Sequence, residues 1–158
     1  MIHHLAQINI GRTLAPLDAP LMKEFTNFLG PVNKLAEDSP GFVWRLKDEV
    51  SGASSSYVKT PFGDENYLVN MSVWENIPSL RGFIFGTVHS YFLKNRAKWF
   101  EKPPKMIVAM WWIPAGHIPT LEEAKTKIDL INNKGNTPEA FNFQKVFDEQ
   151  GNQMAINN

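Results

Sequence analysis

Apolar and polar positions alternate over residues 2–10. Ile2, His4, Ala6, Ile8 and Ile10 share one side, and His3, Leu5, Gln7 and Asn9 the other, which is the period of a β-strand. A loop over 11–20 carries Pro16 and Pro20. The spacing then becomes helical, with Leu21, Phe25, Phe28, Val32 and Leu35 on one stripe. This predicts a helix over 18–37, with Asp18 as N-cap and Pro20 in the first turn. Gly30-Pro31 predicts a kink or break within it. Ser39-Pro40-Gly41 reads as a turn. Phe42, Trp44 and Leu46 alternate with Val43, Arg45 and Lys47 in a second strand. Residues 50–65, rich in serine with Pro61 and Gly63, form a long connection. A third strand covers 66–74, with Tyr67, Val69, Met71 and Val73 opposed to Leu68, Asn70, Ser72 and Trp74.

A second helix is predicted over 78–101, stopped by Pro103-Pro104. Residues 105–113 are nearly all apolar, as in a strand covered on both faces. After the turn over 114–119, Thr120 and Glu123 have capping-box spacing, and the helix they open ends at Gly135. Phe141, Phe143 and Phe147 suggest a last extended segment. The order is strand, helix, strand, strand, helix, strand, then a helix and an extended piece. That is α+β, the ferredoxin-like βαββαβ order with an antiparallel sheet and both long helices on one face. A single domain over 1–147 is expected, followed by a polar, frayed tail over 148–158.

Composition narrows the function. The 158 residues hold 16 Lys+Arg against 16 Asp+Glu, so no basic excess points to nucleic acid. There is no cysteine, which excludes disulfides, thiolate nucleophiles and cysteine-based zinc sites. No run approaches the roughly 18 apolar residues of a membrane span, and the N-terminus lacks the pattern of a signal peptide. The expectation is a cytoplasmic protein. The sequence contains no G-x-G-x-x-G, P-loop, H-E-x-x-H or G-x-S-x-G.

Two helices cover one sheet face, and the richly apolar face is expected to be theirs. The other face then carries Gln7, Asn9, Val43, Arg45, Asn70, Ser72, Trp74 and either Trp111 or Trp112. Neutral amides, a hydroxyl and indoles on one face suit an apolar ligand cavity. They also suit a face buried by dimerisation, or a partly solvated sheet. Gln7 and Asn9 are candidates to polarise a ligand oxygen. Arg45 needs an anionic ligand or a carboxylate such as Asp48, Glu65 or Glu75. His89, on the second helix, and His117, in a rigid turn, are candidate acid/base or ligand-binding groups, or else surface and turn histidines. No metal site is suggested; the adjacent His3 and His4 face opposite sides. Left in water, Leu5, Val43, Leu68 and Trp74 would form a large apolar patch, so a homodimer is expected.

Five segments carry a family resemblance: HLAQINI at 4–10, PGFVWRLKDE at 40–49, LVNMSVWE at 68–75, HSYFLKNRAKWFE at 89–101 and WWIPAGHIPTLEEAKTKI at 111–128. The chain resembles the domain-of-unknown-function family numbered 3291, over about residues 3–147. That family is similar to the dimeric α+β barrel superfamily, in which two ferredoxin-like sheets pair face to face. The resemblance implies a homodimer and a small-molecule enzyme, such as a cofactor-independent monooxygenase with its site inside the barrel. A non-catalytic barrel that binds a small apolar or aromatic ligand, or one that is purely structural, is the alternative. A haem-degrading branch implies haem, with an asparagine, a tryptophan and a histidine at positions matched by Asn9, Trp74 and, less closely in spacing, His89.

Overall fold

The computed structural model describes residues 1–47, 67–86, 89–102 and 107–155, without the side chains of residues 89, 90 and 92. The expected connection over 50–65 lies outside the described residues. The fold is α+β. Strand β1 spans His3–Arg12, β2 Phe42–Arg45, β3 Tyr67–Trp74 and β4 Val108–Pro114. They form one antiparallel sheet in the order β2-β3-β1-β4. Helix α1 spans Lys23–Glu37, α2 Ile77–Gly86, α3 His89–Lys94 and α4 Leu121–Lys134. Among the described residues no helix is long and apolar enough to cross a membrane.

The pairing of β1 explains the two faces. Leu5 lies between Trp74 and Trp112, Gln7 between Ser72 and Met110, and Asn9 between Asn70 and Val108. Their side chains share one face with Ala36 of α1 and Leu80 and Ile84 of α2. The opposite face presents Ala6, Ile8, Val69, Met71, Val73, Ala109 and Trp111, packed with Ala124 and Ile128 of α4. The expectation about the faces is therefore corrected. Helices α1 and α2 lie over the amide face, and the wholly apolar face is the other. Leu5, Leu68 and Trp74 are at most 6% exposed within a single chain, so they need no second copy to leave water. Counting apolar residues misassigned the face because its polar groups satisfy one another.

Several boundaries differ from the reading of the sequence. Pro20 starts a short 3₁₀ turn, Pro20–Met22, entered from Ala19, and Asp18 does not cap it. Helix α1 continues through Pro31 without ending. Val43 is an extra residue in β2: Phe42 pairs with Trp74 and Trp44 with Val73, so a bulge leaves Val43 39% exposed. Phe42 and Arg45, not Val43 and Arg45, share the amide face. Gly41 precedes the bulge with φ +82°, and a Cβ there would come within 2.1 Å of the Ser79 hydroxyl, so only glycine fits.

Beyond Lys94 the expected helix over 78–101 gives way to a 3₁₀ turn, Arg96–Lys98; residues 87 and 88, between α2 and α3, lie outside the described residues. Its last residues serve the sheet instead. The Leu14 N–H donates to the Trp99 carbonyl at 2.8 Å, and the Glu101 N–H to the Arg12 carbonyl at 2.8 Å. A backbone that extends the end of β1 cannot also continue a helix. Strand β4 is covered on both faces, as its composition predicted. Phe141 exchanges two backbone hydrogen bonds with Met110 along its free edge. The tail is not wholly frayed: Gln153–Met154 (β6) pairs with Val146–Phe147 (β5). The Asp148 carboxylate accepts from the N–H groups of Gln150 and Asn152, which holds its pKa below the usual value.

Candidate functional site

The site grows from the middle of β1. Gln7 is 4% exposed and cannot lean on water. Its Nε2 donates to the Asn70 Oδ1 at 2.9 Å and to the Ser72 Oγ at 2.7 Å. Its Oε1 accepts from the Asn9 Nδ2 at 3.4 Å. The Trp74 Nε1 donates to the same Ser72 Oγ at 2.9 Å. Both acceptor positions of that hydroxyl are thus used. Register places these groups together: Gln7 faces Ser72 and Asn9 faces Asn70 across adjacent strands. An unmade hydrogen bond at a buried donor costs about 1–3 kcal/mol, so closure of the network around Gln7 is what lets that amide sit under helices.

Above the network lies a cavity of about 230 Å³ between the sheet and the helices. Its floor is Gln7, Asn9, Gly11, Leu68, Asn70 and Val108. Its walls are apolar: Phe25, Leu29 and Val32 from α1, Ile84 from α2, and Trp99 and Phe100 beyond α3. Phe28, Phe85 and Leu93 form an exposed rim. Phe25 meets the Phe100 ring edge-on at 5.2 Å, and Phe85 meets Phe143 at 5.6 Å. The Asn9 Oδ1 and the Asn70 Nδ2 have no partner among the described residues, so the network offers the cavity one acceptor and one NH₂ donor.

Arg96 is the cation of this lining. Its guanidinium stands 5.2 Å from the centre of the Phe100 ring. Its Nη2 is buried without a hydrogen-bond partner among the described residues. Burial pushes its pKa below the ordinary arginine value. Gly11 makes the space: a Cβ there would lie 2.8 Å from the Phe100 Cδ1 and 3.2 Å from Nη2.

The structure brings together only some of the residues singled out by sequence. Gln7, Asn9 and Asn70 line the main cavity. Ser72, Trp74 and Arg45 line a smaller space of about 30 Å³ beside it, which shares Gln7, Asn9 and Asn70. Trp74 stacks on Phe83 at 5.3 Å and meets Phe42 edge-on at 5.5 Å, so it is a packing residue there. Arg45 pairs with Glu37 of α1, Nε to Oε1 at 3.0 Å, and not with Glu75; Asp48 and Glu65 lie outside the described residues. Trp112 joins the amide face, its Nε1 donating to the Phe147 carbonyl at 2.9 Å.

His117 is not part of the cavity. Its Nε2 lies 2.7 Å from the Glu123 Oε1, while the Glu123 Oε2 accepts from the Trp111 Nε1 at 2.8 Å on the opposite sheet face. Thr120 caps the Glu123 N–H at 3.1 Å, half of the expected capping box. The glutamate side chain goes to His117 and Trp111 instead. Partial burial by itself raises the Glu123 pKa, but the hydrogen bonds from His117 and Trp111 outweigh it and hold the carboxyl below its usual value. His89 lies in α3, and its side chain lies outside the described residues.

The described lining holds no histidine, methionine or tyrosine to ligate a haem iron, and the side chain of the candidate His89 lies outside the described residues. The cavity is smaller than the roughly 300–1,000 Å³ typical of sites for drug-sized ligands. Both Trp74 contacts are taken by phenylalanines, and no histidine among the described residues lines the space. The sequence reading missed Arg96, Gly11 and the wall formed by Phe25, Trp99 and Phe100. Arg96 stands three and four residues before Trp99 and Phe100, a cation between aromatics that could have signalled the wall.

Fold and site define a class: an α+β domain with an amide-floored, apolar-walled cavity between sheet and helices. The chain belongs to the family described as domain of unknown function DUF3291, whose model matches residues 4–157. None of the curated proteins compared with the chain matches it. Among solved structures, the crystal structure of NE2512, a protein of unknown function from Nitrosomonas europaea, is similar over 75% of this chain and 97% of its own. The identity is 14% and the TM-score 0.49.

Proposed function

We propose that this domain binds a small, mostly apolar molecule in the cavity between the amide face and helices α1–α3. The observation that carries the reading is the closed network under apolar walls. Gln7 spends both amide hydrogens inside the protein, while Asn9 and Asn70 keep one acceptor and one donor for the cavity. Such a floor orients a ligand oxygen or N–H while the phenylalanines remove its body from water.

The strand order β2-β3-β1-β4 supports a ferredoxin-like description of the domain. A cofactor-independent oxygenase would use the same cavity. We favour binding over catalysis because the described lining offers amides and one guanidinium, with no carboxylate, imidazole or hydroxyl to move a proton. A homodimer is not needed to build the proposed site, whose described lining draws on one chain.

Filling the cavity tests the reading. Val32 lines both spaces and is half-buried, so Val32→Phe should occupy the volume. Phenylacetamide, followed by calorimetry, is expected to bind the unmodified chain and to lose at least tenfold in affinity for the variant. The stability cost should stay below the roughly 1–3 kcal/mol of overpacking a dense core. Unchanged affinity in a folded Val32→Phe would contradict the site.

A further inference from the structure

The amide floor explains neutral polar recognition, but it leaves a charge over. The Arg96 Nη2 is buried, and no acceptor among the described residues reaches it. A guanidinium cannot shed its proton to escape this. The nearest acid along the chain is already committed, since the Glu101 carboxylate pairs with Arg12. Among the described residues the contact that favours the cation is the Phe100 ring, 5.2 Å away, and a ring face supplies no hydrogen-bond acceptor. The surroundings also keep the approach clear. Position 11 is glycine, and any side chain there would crowd both Phe100 and Nη2.

We infer that Arg96 is the anchor for a carboxylate, and that the ligand class of the cavity is a small aromatic or branched apolar carboxylic acid. The inference rests on the cavity reading above. A carboxylate matches the flat fork of a guanidinium and can accept two parallel N–H bonds. The described lining holds a single cation, which balances a monoanion rather than a phosphate dianion. The body of the acid then lies against Phe25, Leu29 and Trp99, with Asn9 and Asn70 reading any ring or chain substituent that can hydrogen-bond.

Calorimetry with phenylacetate and its neutral isostere phenylacetamide tests this on the full chain. Phenylacetate is expected to bind at least tenfold more tightly. In Arg96→Met the two probes should bind within twofold of each other, and Arg96→Lys should keep part of the preference. Ligand-free Arg96→Met should melt no lower than the unmodified protein, because it removes a partly buried guanidinium whose Nη2 has no partner among the described residues. Equal affinities in the unmodified chain would overturn the anchor while leaving the cavity reading intact. Binding of neither probe would overturn both. A preference that survives in Arg96→Met, a lowered melting temperature in that variant, or phenylacetate displaced equally well by inorganic phosphate would each overturn the anchor. The comparison of the two probes on the unmodified chain decides the matter even where Arg96→Met does not fold.

Discussion

Ser72 is the residue on which the polar floor depends. Its hydroxyl accepts from the Gln7 Nε2 and the Trp74 Nε1, and both donors are buried. Ser72→Ala is expected to cost about 1–3 kcal/mol in urea unfolding, because it orphans donors that water cannot reach. A loss within about 0.5 kcal/mol would mean the network carries no stability. The alternation of β1 and β3 placed Gln7, Asn9, Asn70, Ser72 and Trp74 on one face from sequence alone, and the structure brings those five together. What alternation could not give was which face the helices take. Polar side chains that pair with each other behave energetically like a buried surface, and their pairing is a fact of register, not of composition. Val43 illustrates the same limit: one inserted residue turns the period of two, and nothing in Phe-Val-Trp-Arg announces a bulge.

At the scale of elements, α4 is fastened to the apolar face through one glutamate. Glu123 joins the start of the helix, the turn histidine and the strand indole in one set of hydrogen bonds. Its carboxyl is held below the ordinary value of 4.5, so it prefers the charged form when folded. Its contribution is then fully present above the unfolded pKa and lost as pH falls through the lower folded one. Glu123→Gln should therefore melt below the unmodified chain at neutral pH, and the gap should narrow as pH drops below about 4.5. A gap that widens on acidification would contradict this assignment. The capping spacing of Thr120 and Glu123 predicted where the helix begins, and Gly135, with φ +75°, ends it as expected. Where the long helix expected over 78–101 ends was not legible in the sequence. Trp99, Phe100 and Glu101 have side chains compatible with a helix, but their backbone groups are claimed by Arg12, Thr13 and Leu14 at the far end of β1. Competition between distant partners leaves no mark on local periodicity.

For the whole molecule, two helices lie over the amide face and α4 over the other, and the described lining of the cavity comes from one chain, with Asn70 and the Phe28–Phe85–Leu93 rim open to solvent. A ¹H–¹⁵N NMR titration with phenylacetate shows whether the amide-floored cavity takes a ligand. Saturation is expected at one ligand per 18.0 kDa chain. The largest shifts should fall on the Gly11 backbone amide and the side-chain amides of Gln7, Asn9 and Asn70, with the indole of Trp99 following and that of Trp111 unmoved. Shifts confined to Trp111 and the start of α4, or saturation at one ligand per two chains, would contradict it.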